Sequence, residues 1–341
     1  MKKLLFTLLA FGILLLLLSI LVPREFYSPR EITFVVAPGE GTRDIALNLE
    51  RQGLVYSAPL FRVFVLTAGV SGKLQAGTYV LSPGMSPLDI AAKLASGDVK
   101  EETVTIVEGW NLRDIGFYLE NRGIAQAEEL WEIAGFPGAD VRQAQDLPLP
   151  RDFSSAFPFL EDKPPHVGLE GYLFPDTYRM RPEESVESLI QKMLANFGRK
   201  IAPFADEIAE GDRPLFEVVT IASLLEKEVR TLEDKKLVAG VLENRLSIGM
   251  ALQVDATVSY LTGRRDTAVT IEETRIDSTF NTYRYPGRPL GPIANPGVAS
   301  IEAALSPLGN PYFYYLSTPE GETIFSRTLE EHNAAKAAHL K

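Results

Sequence analysis

Apolar residues recur at helical spacing in the segment FEVVTIASLLEKEVR, Phe216 to Arg230. Spacings of three and four residues place side chains on one face of a helix, so the pattern predicts a helix with a core-facing stripe. The members of the stripe are Val218, Ile221, Ala222, Leu225 and Val229. Glu226 falls at its rim, where partial burial would raise the pKa of a carboxyl group toward the range that a general acid needs. The alternative interpretation is a solvated helix face on which Glu226 pairs with Arg230.

A second apolar run, Leu4–Val22, is long enough to cross the hydrocarbon core of a bilayer as a helix. Lys2 and Lys3 precede the run and predict that the N-terminus faces the cytoplasm. We therefore expect residues 1–3 to be a cytoplasmic tail and residues 4–22 to be a single transmembrane helix. A cleaved signal peptide is the alternative, but its apolar core is usually shorter and ends in small residues.

After this run, a pattern of strand, turn and short helix occurs three times. Ser86 and Asn111 stand at helix N-cap positions, and Asp89 and Asp114 follow them at capping-box spacing. Small units of this kind resemble the LysM-like modules that bind cell-wall glycans, over Glu31 to Val99. A small α+β spacer without a ligand of its own fits the same pattern, since fold does not fix function.

The rest of the chain predicts further helices and a hairpin near the C-terminus. The high content of proline, aspartate and glycine at 137–167 predicts a long irregular segment. Residues 249–258 are predicted to form a strand, which would place Gln253 and Asp255 on the same side. We expect an α+β protein with a LysM-like module at residues 30–100. A connecting subdomain and linker at 101–165 and a larger mixed α/β domain at 166–341 would follow it.

Composition removes several classes of function. The 341 residues carry 45 acidic against 34 basic side chains, a formal charge of −11, which argues against a nucleic-acid partner. The chain has no cysteine and three scattered histidines, so we expect no thiolate nucleophile and no zinc site. We also expect no cofactor, because no dinucleotide-binding or GxSxG motif occurs.

Several separate motifs occur along the chain in a fixed order. They are EGYLFPDTY, IASLLEKEV, ENRLSIGMALQVD, FNTY, GPIANPG and FSRTLEEHN. Together they resemble the bacterial endolytic murein transglycosylase family, from the apolar run to the C-terminus. One departure is Asp255-Ala256, where the family pattern has Asp-Pro.

The resemblance implies a membrane-anchored lytic enzyme that cuts peptidoglycan glycan strands internally, between N-acetylmuramic acid and N-acetylglucosamine. The products would carry 1,6-anhydro ends, and cleavage would terminate glycan elongation. The implied location is the bacterial inner membrane, crossed once, with residues 166–341 as an extracytoplasmic catalytic domain. The implied partners are the glycan strands, the membrane and cell-wall synthases.

The matching catalytic residue is the first glutamate of the Leu-Glu-Lys-Glu run, Glu226. One carboxyl group suffices for this reaction, because the 6-hydroxyl of the sugar attacks C1 in an intramolecular step and the same glutamate takes its proton. Further residues are expected to hold or flank the sugars: Gln253, Asp255, Asn281 and Tyr283 as polar ligands, and Tyr172 and Phe174 as aromatic walls.

Two other functions remain open from the sequence. A true glycoside hydrolase would use Glu226 with a second carboxylate, Asp255 or Glu228. A non-catalytic peptidoglycan-binding scaffold would use Glu226 only for structure. For either enzyme, we expect Arg230 to point away from Glu226, because a close cation would lower the pKa of the acid.

Overall fold

The computed structural model describes residues 22–26, 28–144, 146–264 and 269–339. The predicted transmembrane helix at 4–22 lies outside the described residues except for Val22. Within the described ranges, no helix is long and apolar enough to cross a membrane. The chain forms two compact units, Met1–Thr103 with Arg179–Glu184, and Val104–Tyr178 with Ser185–Lys341. The described residues between 104 and 165 therefore belong to the second unit.

Both helices and strands are present, as the sequence predicts. The α-helices are α1 (Thr42–Arg51), α2 (Ala58–Thr67), α3 (Pro87–Ser96), α4 (Leu112–Asn121), α5 (Ala127–Ala134), α6 (Val186–Ile201), α7 (Ala205–Glu210), α8 (Leu215–Glu228), α9 (Leu232–Ser247), α10 (Asp255–Thr262), α11 (Val298–Leu305) and α12 (Leu329–His339). The strands are β1 (Ile32–Val36), β2 (Gly77–Leu81), β3 (Glu102–Thr105), β4 (Thr177–Met180), β5 (Tyr314–Ser317) and β6 (Thr323–Ser326). They pair in order as three two-stranded sheets.

The first unit is built on the antiparallel pair β1 and β2, in which Ile32 lies opposite Leu81. Phe34 and Tyr79 face one another in its core, and both are fully buried. The predicted strand, turn and helix pattern is confirmed here by β1 with α1 and by β2 with α3. Its turn chemistry is confirmed too, since Ser86 and Asp89 form a reciprocal capping box at the start of α3.

The second unit is organised around α8, which is buried on nearly all sides. Polar residues of the helix that lie in the core satisfy their hydroxyl groups locally, since Thr220 donates to Phe216 O and Ser223 donates to Thr220 O. The helices α9, α10 and α11 pack against α8. A helix that is buried all round has no solvated face, so the core-facing stripe that its sequence predicts is only part of its buried surface.

The predicted strand at 249–258 is wrong. Gln253 has a positive φ of 50°, and Asp255 begins α10. The backbone N–H of Gln253 donates to Thr282 O, and the N–H of Val254 donates to Thr282 Oγ1. These bonds join residues far apart in the chain, and they favour a short connection into a helix over the extended segment that local pattern predicts.

Candidate active site

Glu226 lies in the last turn of α8, and its side chain is 10% exposed. The helix ends two residues later because Val229 has an extended backbone, with φ of −143° and ψ of 158°. Arg230 therefore lies beyond the helix and is exposed. Among the described residues Arg230 forms no ion pair with Glu226, as expected, but Lys235 supplies the close cation that this expectation was meant to exclude.

Three donors converge on one oxygen of Glu226. Oε2 accepts from the backbone N–H of Gly297 at 3.0 Å, from Ser300 Oγ at 2.6 Å and from Lys235 Nζ at 3.2 Å. Gly297 is the N-cap of α11, so the carboxyl group lies at the positive end of that helix. Lys235, in the first turn of α9, is itself nearly fully buried.

This environment is more polar than the apolar rim that the sequence predicts for Glu226. Oε2 is occupied as an acceptor, whereas Oε1 accepts no hydrogen bond from any described residue. A proton on this carboxyl group would therefore be carried by Oε1. The group has one oxygen fixed by the protein and one oxygen available to a ligand, which is the geometry that a proton-transferring carboxyl group requires.

Two other glutamates of the same unit have strongly raised pKa values. Burial raises the pKa of Glu228 to about 7, although the Tyr315 hydroxyl donates to it at 3.0 Å and partly offsets the shift. Burial also raises the pKa of Glu170 to about 8, with partial offset from the backbone N–H of Leu112. Raised pKa values of this kind mark candidate functional groups, but buried structural carboxyl groups have them as well.

The predicted polar ligands fall into two groups. Tyr283 donates its hydroxyl proton to Asp255 Oδ1, and both Asp255 and Gln253 are exposed. Burial and the neighbouring Asp255 carboxylate raise the pKa of Tyr283. Asp255 also lies close enough to Glu228 to raise the pKa of that group. Gln253, Asp255 and Tyr283 thus form a polar surface beside the C-terminal end of α8.

The other three predicted residues are buried. Asn281 is fully buried and donates to Thr274 O and Ile276 O, so it holds its own loop together. Tyr172 is fully buried, and its ring lies 5.1 Å from that of Phe197. Phe174 is 3% exposed. In this structure these side chains contact protein and leave almost no surface for a sugar.

Nearly the whole chain is similar in sequence to known proteins. The model of the YceG-like family matches residues 34–338. The chain belongs to the YceG-like family. A Bacillus subtilis (strain 168) relative, named endolytic murein transglycosylase, is 32% identical over 94% of this chain and 88% of its own length. A Streptococcus pneumoniae (strain D39) relative of the same name is 29% identical over 95% of this chain, which spans 61% of its length.

A solved structure of the family has the same fold over most of the chain. The 2.6 Å crystal structure of a YceG-like protein from Listeria monocytogenes is 32% identical, with a TM-score of 0.59. The match covers 91% of this chain and all of that chain. The expected resemblance to this family is therefore confirmed.

The sequence did not indicate the partners of Glu226 in this YceG-like chain. Lys235, Gly297 and Ser300 come from two other helices, 9 to 74 residues away. The GPIANPG motif ends at Gly297, the N-cap residue whose N–H donates to Glu226. The sequence feature that could have found one of these partners is Lys235, which lies nine residues after Glu226, close enough to pair with it across the end of the helix.

Proposed function

We propose that this YceG-like chain is an endolytic murein transglycosylase that cleaves the bond between N-acetylmuramic acid and N-acetylglucosamine within peptidoglycan strands. The observation that carries the proposal is the asymmetric fixing of Glu226, with Oε2 held by three donors and Oε1 open to a ligand. Family membership supports the same reaction, because two relatives that match nearly all of this chain carry that name.

In the proposed reaction, Glu226 acts first as an acid and then as a base. Its Oε1 proton passes to the glycosidic oxygen as the bond from C1 to that oxygen breaks, and N-acetylglucosamine leaves with a free 4-hydroxyl group. The 6-hydroxyl oxygen of the muramic acid then bonds to C1, and its proton returns to Oε1. The product has a 1,6-anhydro ring, and the enzyme ends in the protonation state in which it began.

In the proposed reaction, the other groups around Glu226 orient its carboxyl group, stabilise its charge or bind the sugars. Gly297, Ser300 and Lys235 hold Oε2 in place and stabilise the carboxylate that exists between the two proton transfers. Gln253, Asp255 and Tyr283 are proposed to bind hydroxyl and acetamido groups of the sugars. No cofactor enters this mechanism, because the nucleophile is part of the substrate.

We also propose that residues 4–22 anchor the chain in the bacterial inner membrane, with the catalytic unit outside the cytoplasm. Support comes from the length of the apolar run and the two lysines before it. Fractionation of cells would test the anchor, and protease added to spheroplasts should digest residues 28–339. Recovery of the chain in the soluble fraction would contradict it. Cell-wall synthases are proposed partners from the family alone.

The activity is tested by mass spectrometry of glycan fragments after the full chain, in detergent, acts on uncrosslinked peptidoglycan strands. Wild type should release internal fragments with 1,6-anhydro ends. Glu226→Gln keeps the shape of the side chain but cannot supply the proton, so it should release none. Glu228→Gln, two residues further on the same helix, is the matched control and should retain anhydro products.

Two outcomes would overturn the proposal. Fragments with reducing ends, one water heavier, would identify a glycoside hydrolase with a second carboxylate such as Asp255 or Glu228. Absence of cleavage by folded wild type would favour the glycan-binding scaffold. Equal loss of products in Glu226→Gln and Glu228→Gln would remove the special role of Glu226.

A further inference from the structure

The carboxyl group of Glu108 packs against Gly297, the glycine whose N–H donates to Glu226. Glu108 is in the turn between β3 and α4, and its carboxyl group rests on the Cα atom of Gly297. A Cβ atom at Gly297 would overlap Glu108 Oε1 and would lie 2.8 Å from Glu108 Oε2. The N–H of the same glycine donates to Glu226 Oε2 at 3.0 Å. The nitrogen of Gly297 and its Cβ position are separated by two covalent bonds of about 1.5 Å each. The nearest oxygen atoms of the two carboxyl groups are therefore at most about 8 Å apart.

The turn that carries Glu108 is fixed to both elements of the candidate active site. The N–H of Gly109 donates to Asn295 O at 2.9 Å, and the N–H of Asn295 donates to Trp110 O at 2.8 Å. Lys227, on α8, donates to Gly109 O at 3.2 Å. These bonds tie the turn to the loop that ends at Gly297 and to the helix that carries Glu226. These bonds therefore fix the backbone of the turn at Glu108 relative to the helix that carries Glu226.

The two carboxyl groups have different surroundings. Glu226 is nearly buried and is paired with Lys235, whereas Glu108 is exposed and forms no ion pair with any described residue. An ionised carboxylate without a cation costs little in water, but it becomes a strong electrostatic group once a ligand displaces that water. Such a group is suited to a reaction in which positive charge develops on the substrate.

Cleavage of a glycosidic bond is a reaction of that kind, since the transition state has positive charge shared by C1 and the ring oxygen. We propose that Glu108 is a second catalytic residue, which contacts the sugar ring and stabilises this charge while Glu226 transfers the proton. The inference rests on the proposed transglycosylase function. Glu108 forms no bond to C1 and takes no proton, so the atoms and products remain those of the reaction above.

The first test is Glu108→Gln in the full chain, with the rates of anhydro-fragment release measured over a range of strand concentrations. The change keeps the shape of the side chain and removes its charge. We expect kcat to fall about 100-fold, which is typical when one group that stabilises transition-state charge is removed, with KM within about twofold. The products should keep their anhydro ends. Glu120→Gln, an exposed acid on α4, is the control and should match wild type.

The second test uses the contact between Glu108 and Gly297. Gly297 has a φ of −76°, so alanine fits the backbone, but its methyl group would displace the Glu108 carboxyl group. Gly297→Ala should therefore lower kcat strongly in the wild-type background. In a Glu108→Ala background the space is free, so the same change should cost much less.

Several results would overturn the inference. They are wild-type kcat for Glu108→Gln, a rise in KM alone, a drop in melting temperature that accounts for the lost activity, or equal costs of Gly297→Ala in both backgrounds. Failure of the proposed transglycosylase function can be distinguished from failure of the inference about Glu108. If wild type releases no anhydro fragments, the proposed function fails, whereas activity lost only in Glu226→Gln leaves that function intact and removes Glu108 from it.

Discussion

The side-chain amide of Asn295 donates to Glu170 Oε1 at 3.1 Å, and both side chains are buried. The Oδ1 atom of Asn295 accepts from the N–H groups of Gly171 and Leu173, each at 3.0 Å. Its Nδ2 atom also donates to Trp110 O at 3.0 Å. One asparagine thus joins the buried chain after Glu170, the turn that carries Glu108, and the loop that ends at Gly297.

Asn295→Ala should be strongly destabilising, because it leaves two buried N–H groups without acceptors. Each orphaned buried group costs about 1–3 kcal/mol, so we expect a loss of about 3 kcal/mol or more in the free energy of unfolding. Activity should fall as well, since the N–H of Gly297 two residues away positions Glu226. Urea denaturation of the variant measures the first effect.

The control for this change is Asn333→Ala, because Asn333 is exposed on α12. A change at such a position is expected to alter stability by about 0.5 kcal/mol or less. If Asn295→Ala costs no more than this control, the asparagine does not join the three segments in solution.

Glu170 should make stability depend on pH. Burial raises its pKa to about 8 in the folded state, above the value of 4.5 for the exposed group. The folded protein therefore keeps a proton that the unfolded chain releases as pH rises. The contribution of Glu170 to stability is fully present below about pH 4.5, is lost between that pH and about pH 8, and stays constant above it.

Glu170→Gln tests this dependence, because glutamine does not titrate. The variant should lose less stability than wild type between pH 5 and pH 8, and the difference should be on the order of a few kcal/mol. Urea denaturation at pH 5, 6.5, 8 and 9 would measure it. Glu228 titrates with the same sign, so the difference between the two proteins, not the slope of either, is the result that counts. Parallel curves would contradict the raised pKa of Glu170.

Local signals predicted the parts of this fold that depend on neighbouring residues. The capping boxes at Ser86 and Asn111 were correct because each involves residues three apart. The polar contacts of Asn295 and Glu170 span 125 residues, and no periodicity or spacing records such a pair. The segment around Asp255 shows the same limit of local prediction. A hydrogen bond between Val254 and the distant Thr282 favours the start of a helix there over the strand that the local pattern predicts.

The ion pair of Glu226 with Lys235 should contribute to both stability and activity. Lys235→Met removes the cation that the ionised form of the nearly buried Glu226 contacts, so under conditions in which this group is ionised we expect a loss of about 3 kcal/mol in unfolding free energy. The same change in a Glu226→Gln background should cost much less, since no charge remains to be paired. Denaturation of the four proteins gives this coupling. Equal costs in the two backgrounds would show that Lys235 serves packing alone.

Tyr283→Phe should separate substrate binding from chemistry. The change removes one hydroxyl group, which donates to Asp255 at the surface, so the unfolding free energy should fall by about 1 kcal/mol or less. If Tyr283 and Asp255 bind sugar groups beside Glu226, the variant should raise KM about tenfold or less and leave kcat nearly unchanged, since binding energy common to ground and transition states is lost.

The measurement is the rate of anhydro-fragment release as a function of strand concentration. Tyr312→Phe is a matched control, because this tyrosine is partly exposed and packs on Phe325 in the same unit. Its hydroxyl group is not assigned to the sugars, so its kinetics should match those of wild type. A fall in kcat at unchanged KM for Tyr283→Phe would instead mean that the hydroxyl group acts in the transition state. Wild-type kinetics for both variants would place the sugar site elsewhere on the surface around Glu226.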